Sequence, residues 1–127
     1  MILQVYENEK DRILKLLKDD PSRSLFIVGD ILNYGMHRDF QDVWVDEDIE
    51  GIHGIYLRYR SNLVFYIFDK VVDNKGVERL INDDRITIIS STRSHMDKLP
   101  QQCLVNINAR ETYFCECKEL KEERSNA

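Results

Sequence analysis

The chain has 127 residues, 43% of them hydrophobic and 32% charged, and a formal net charge of -5. That length predicts a single domain with enough core to fold without a disulfide or metal staple. The acidic balance argues against nucleic-acid and anionic-membrane partners, no run approaches the roughly 20 apolar residues of a membrane span, and three cysteines, an odd number, point to free thiols in a reducing cytoplasm.

The opening MILQVYENEKD lacks a basic segment followed by an apolar one, so no signal peptide is expected. Residues 2–5 read as an edge strand. Asn8 is placed to cap a helix, with Asp11 three residues on as a capping-box partner. Ile13, Leu14, Leu16 and Leu17 give that helix an apolar stripe, and Asp19-Asp20-Pro21 ends it, because the residue before a proline avoids helical geometry. Ser22 caps the next helix, SRSLFIVGDILNYG. Leu25, Val28 and Leu32 share its expected inner face, flanked by Phe26 and Ile27. Gly35 stands where a left-handed C-terminal cap belongs. Gly29 inside the helix costs about 1 kcal/mol relative to alanine and suggests close approach of another backbone.

Residues 41–45 form a third short strand, and the acidic run 46–51 turns into the most β-rich stretch of the chain. That stretch breaks once, at Ser61-Asn62, so it reads as two antiparallel strands over 52–60 and 63–68. The first alternates, with Ile55, Leu57 and Tyr59 on one side and Tyr56, Arg58 and Arg60 on the other. The second, LVFYIF, is apolar on both faces and belongs inside a sheet covered by helices on each side. A helix follows over 73–81, with Val77, Leu80 and Ile81 inward. Residues 86–89, ITII, predict a buried strand parallel to a neighbour. Ser90-Ser91-Thr92 caps a short helix running to Leu99 and stopped by Pro100. Further strands are expected over 104–107 and 112–118. Residues 119–127 are a charged, polar tail or linker. The whole order predicts an α/β (α+β) class: a mixed sheet with helices on both faces.

Chemistry-bearing residues are sparse. His37, His53 and His95 stand apart in sequence, with no second ligand at metal spacing. Cys115 and Cys117 fall on one face of a strand, but Cys103 does not complete a zinc set, so the cysteines read as core residues. No G-x-S-x-G pattern anchors a hydrolase triad. Asp46, Glu47, Asp48 and Glu50 lack the alternating order of a calcium loop and read as a solvated approach to the hairpin. Tyr56, Arg58, Tyr59 and Arg60 interleave aromatics with arginines, as single-strand nucleic-acid binders do, but one strand divides them between two faces. Asp30, beside Gly29, is the least expected acid, set in an otherwise apolar helix.

The segments Leu25-Phe26-Ile27-Val28-Gly29-Asp30-Ile31, Asn33-Tyr34-Gly35, Asp42-Val43-Trp44, Leu57-Arg58-Tyr59, Asn62-Leu63 and Phe65-Tyr66 resemble a group of bacterial proteins in the GNAT superfamily of N-acetyltransferases. The likeness in element order covers residues 1–118 and is motif-like over 25–66. It implies a GNAT-like, mostly antiparallel sheet opening with a strand, two helices and three antiparallel strands. Residues 63–68 would be the central strand before the cofactor-binding helix.

Those enzymes continue with Q/R-x-x-G-x-G/A, whose helix N-terminal amides hold the pyrophosphate of acetyl-coenzyme A. Here the chain reads Asp69-Lys70-Val71-Val72-Asp73-Asn74-Lys75-Gly76-Val77, with one glycine and two carboxylates where an anion would dock. Asp73 as a helix cap would also take an amide that the ligand needs. The resemblance therefore implies a degenerate N-terminal domain (residues 1–118), with no catalytic, cofactor-binding or metal residues of its own. Acetyl-coenzyme A is expected only in a downstream catalytic GNAT domain, with that domain or a homodimer as partner. The rivals are a stand-alone acetyltransferase using Tyr66, Asp30 or His53 as base, and a small interaction module.

Overall fold

The computed structural model describes residues 1–21, 24–69, 72–91, 93–99 and 111–114. Its elements in chain order are β1 (Ile2–Val5), a 3-10 turn (Glu7–Glu9), α1 (Lys10–Leu17), α2 (Leu25–Tyr34), β2 (His37–Arg38), β3 (Gln41–Asp48), β4 (Gly51–Tyr59), β5 (Asn62–Ile67), α3 (Asn74–Ile81), β6 (Ile88–Ser91), α4 (Arg93–Met96) and β7 (Glu111–Phe114). The strands form one sheet in the order β1-β3-β4-β5-β6-β7, with the two-residue β2 pairing β3 beyond the end of β1. β1 to β5 pair antiparallel, whereas β5–β6 and β6–β7 are parallel. This is the mixed, mostly antiparallel α+β architecture expected.

The period-two pattern of the central strands divides the interior into two cores. Ile55 and Leu57 of β4, Val43 and Val45 of β3, and Val64 and Tyr66 of β5 face α1 and α2, where they meet Ile13, Leu17, Ile27 and Ile31. Tyr56, Leu63, Phe65 and Ile67 face the other way, onto Val77, Leu80 and Ile81 of α3, together with Ile86, Ile89 and Leu99. β5 is thus buried on both faces, which is why its sequence does not alternate. Each fully buried side chain of this kind stabilises the fold by about 1.5–3 kcal/mol.

Several local expectations are corrected. Asn8 lies in the 3-10 turn and does not cap α1, whose first residue follows Glu9 without any side-chain cap. On α1 the buried residues are Ile13 and Leu17, and Leu16 is exposed. The inner face of α2 is Ile27 and Ile31, whereas Leu25 and Leu32 point outward, Leu32 with 62% of its surface exposed. That helix is apolar nearly all round, so its periodicity selects no single face. A Cβ on Gly29 would meet nothing within 4 Å, so no backbone packs there. Gly35 does end α2, at φ 84°, its N–H donating to the Ile31 carbonyl. Gln41 Nε2 then caps the helix by donating to the carbonyls of Asp30 (3.0 Å) and Gly35 (2.6 Å).

β3 runs on to Asp48, so Asp46, Glu47 and Asp48 are strand residues and the turn is confined to Ile49 and Glu50. The β4–β5 turn falls on Arg60 and Ser61, one residue earlier than expected, with Arg60 at φ 54°. Ser90 and Ser91 belong to β6, which is shifted toward the C-terminus relative to the ITII run. The strand expected over 104–107 lies outside the described residues, as do the cysteines, the tail and 115–118 of the last strand.

Candidate functional site

The resemblance to GNAT enzymes would place a pyrophosphate at the N-terminus of α3, and the chain caps that terminus with its own carboxylate. Asp73 is the N-cap, its Oδ1 accepting the Gly76 N–H at 3.1 Å. Its Oδ2 accepts the Ile2 N–H at 3.1 Å, tying α3 to β1. The Asp73 N–H donates to Asp46 Oδ2 at 2.8 Å, and Asp46 Oδ1 accepts from the Met1 ammonium at 3.0 Å. A Cβ at position 76 would lie 2.5 Å from Asp73 Oδ2, so a larger residue there would displace the capping carboxylate. Burial opposes ionisation of Asp73, but the Gly76 and Ile2 amides outweigh it and hold the carboxyl below its usual range. These residues do not fit a bound pyrophosphate: the amide is taken, and Asp73 and Asp46 would face a second anion.

The edge of β5 beyond its ladder with β6 is likewise occupied from within. Parallel pairing covers only Asn62 to Val64 of β5. Past that point Ser91 Oγ donates to the Phe65 carbonyl at 2.8 Å, Lys98 Nζ donates to the Ile67 carbonyl at 3.1 Å, and His95 Nδ1 lies 3.2 Å from Ile67 N and 3.1 Å from Ile67 O. His95 is buried and packs against Tyr66, with ring centroids 4.1 Å apart and the rings tilted by 45°. Side chains thereby satisfy backbone groups that a strand or ligand would otherwise use.

The three residues considered as a general base are on separate elements. Tyr66, on β5, donates its hydroxyl to Asp20 Oδ2 at 2.7 Å. Asp30 is half-buried on α2, where burial raises its pKa. His53 sits on β4. There Asp46 pairs with Gly54 and Glu47 with Ile52, which makes His53 the extra residue of a β-bulge. The bulge brings its ring between two carboxylates, with Nδ1 2.8 Å from Asp69 Oδ2 and Nε2 2.9 Å from Asp48 Oδ2. Asp69 first, and Asp48 second, raise the His53 pKa. Sequence spacing hid this grouping, because a one-residue bulge is a property of strand pairing.

A second polar constellation also escaped the sequence. Arg58 was placed on the strand face opposite Leu57, and both it and Asp42, for which no environment was expected, are buried. Asp42 Oδ2 accepts from Arg58 Nε (3.0 Å), Arg58 Nη2 (2.8 Å) and Arg85 Nη1 (3.1 Å), while Oδ1 accepts from Gln4 Nε2 at 2.9 Å. His37 Nδ1 contacts the same oxygen at 2.9 Å. Tyr59 and Arg60 join Tyr34 and Phe40 in an aromatic group, with the Arg60 guanidinium 5.6 Å from the Phe40 ring and 5.5 Å from the Tyr59 ring. Between α1 and α2 an apolar groove of about 380 Å³ is lined by Leu14, Leu17, Pro21, Leu25, Val28 and Leu32.

Among the described residues no helix is long and apolar enough to cross a membrane. Comparison of the chain with protein-family models, with curated proteins and with solved structures finds no match.

Proposed function

We propose that this chain is a GNAT-like domain that has given up acetyl-coenzyme A binding. In this reading it is cytoplasmic, makes no use of nucleic acid or membrane, and supports a downstream catalytic GNAT domain or a second copy of itself. The order strand, two helices, three long antiparallel strands, helix, parallel strand supports the family reading. One observation carries the loss of cofactor binding: Asp73 accepts the Gly76 amide at the very helix terminus where a pyrophosphate would dock. The groove between α1 and α2, whose lining residues Leu25 and Leu32 are exposed, is the surface we assign to the supported partner.

Calorimetry of the chain with acetyl-coenzyme A tests the first part: no saturable heat is expected, and tight one-to-one binding refutes it. The second part predicts that placing a charge on the groove with Leu32→Asp weakens association with the partner domain or second copy. The exposure of Leu32 keeps that variant folded. Unchanged association and unchanged kinetics of the partner refute the supporting role.

A further inference from the structure

We infer that the bulged tip of the β3–β4 hairpin is a binding site for a divalent transition-metal ion of the zinc type. Its ligands are His53 Nε2 and the carboxylates of Asp48 and Glu50, and Asp69 orients the histidine. One ligand atom from each of these three residues lies within 4.8 Å of the others. The inference is independent of the acetyltransferase reading.

Two observations beyond the acidic cluster point to a cation. First, His53 is only 5% exposed, and its buried Nε2 makes no hydrogen bond. It lies 2.9 Å from Asp48 Oδ2, so the nitrogen faces the cluster. Second, the opposite nitrogen is already anchored. Nδ1 lies 3.0 and 2.8 Å from the two oxygens of Asp69, and with the proton on Nδ1 the Nε2 lone pair is free to ligate. A carboxylate holding one ring nitrogen while the other meets a metal is the usual support of a ligating histidine.

Charge argues the same way. Asp48, Glu50 and Asp69 surround one imidazole, and among the described residues no lysine or arginine pairs with Asp48 or Glu50. The nitrogen donor favours zinc-like ions over magnesium or calcium, which prefer all-oxygen shells. Three protein ligands leave room for water, as in open zinc sites. Ligand oxygens and nitrogens at about 2.0–2.2 Å from zinc require Glu50 and Asp48 to draw inward slightly, and both side chains are exposed. The bound ion would join the turn to the end of β5, where the Phe68 N–H already donates to the His53 carbonyl at 2.8 Å.

The test is titration of the full chain with Zn²⁺ and Co²⁺, repeated with Cys103, Cys115 and Cys117 all changed to serine. One equivalent is expected to bind with equal affinity in both proteins, and bound Co²⁺ should show d–d bands without a thiolate charge-transfer band. Glu50→Gln and His53→Gln should each weaken binding at least tenfold. Asp69→Asn should weaken it about 10–100-fold at an unchanged metal-free melting temperature, with partial rescue by Asp69→Glu. Glu50 is exposed, so its variant reports on the site even if the His53 variant fails to fold. The inference is overturned by absent binding, by equal affinity in Glu50→Gln, or by a thiolate spectrum that vanishes with the cysteines.

Discussion

Asp42 and Arg58 show how a single residue's surroundings decide its worth. Both are buried, and the Arg58 guanidinium also donates to the carbonyls of Arg60 (2.8 Å) and Asp39 (3.1 Å). Removing Arg58 leaves a buried carboxylate without its main counter-charge, so Arg58→Ala should cost about 3–5 kcal/mol. Arg85 reaches the same carboxylate from a half-exposed position, and Arg85→Ala should cost less than about 1 kcal/mol. Urea denaturation of the two variants measures the difference. Gly29 is the opposite case: with open space around its missing Cβ, Gly29→Ala should stabilise by up to about 1 kcal/mol, read as a raised urea midpoint at unchanged slope. The sequence located Asp42, Arg58 and Gly29 but not their environments. Alternation put Arg58 opposite Leu57, and only the cover of α3 and its following loop made that second face an interior.

At the scale of elements, α3 depends on its cap. Asp73→Ala removes the acceptor for both the Gly76 and Ile2 amides and should cost about 1 kcal/mol, within the 0.5–2 range of N-cap losses. The folded-state pKa of Asp73 is depressed, so its contribution is fully present above the unfolded carboxyl's value. It disappears as pH falls through the lower folded value. Stability of the wild type should therefore drop more steeply than that of Asp73→Ala below about pH 4. Guanidinium melts at pH 3 and pH 6 on both proteins check the sign. The cap itself was legible, because an aspartate three residues before a glycine in a helix start is a local pattern. The face of α2 was not: LFIVGDIL is apolar in every direction, so Ile27 and Ile31 were selected by the shape of the sheet beneath them.

At the scale of the molecule, two cores share one sheet. Leu57 packs toward α1 and α2 and Phe65 toward α3, yet they lie on neighbouring strands joined by a continuous ladder. Loss of either side should therefore undo both. Leu57→Ala and Phe65→Ala should each lower the same single transition by about 2–5 kcal/mol, with far-UV circular dichroism and Trp44 fluorescence coincident. Two separated transitions would show that the faces fold as independent units.

What the sequence determined by itself is what short-range pattern can encode: a strand doubly apolar and therefore central, a parallel strand after α3, glycine ending α2, and a carboxylate at the α3 cap. What only the tertiary structure decided is what depends on register and cover. The bulge that turns His53 between Asp48 and Asp69, the burial of Asp42 with Arg58, and the outward-facing Leu25 and Leu32 all arise when strands choose partners and helices choose sides. Those choices are set by contacts between residues far apart in the chain, and no window of neighbouring residues contains them.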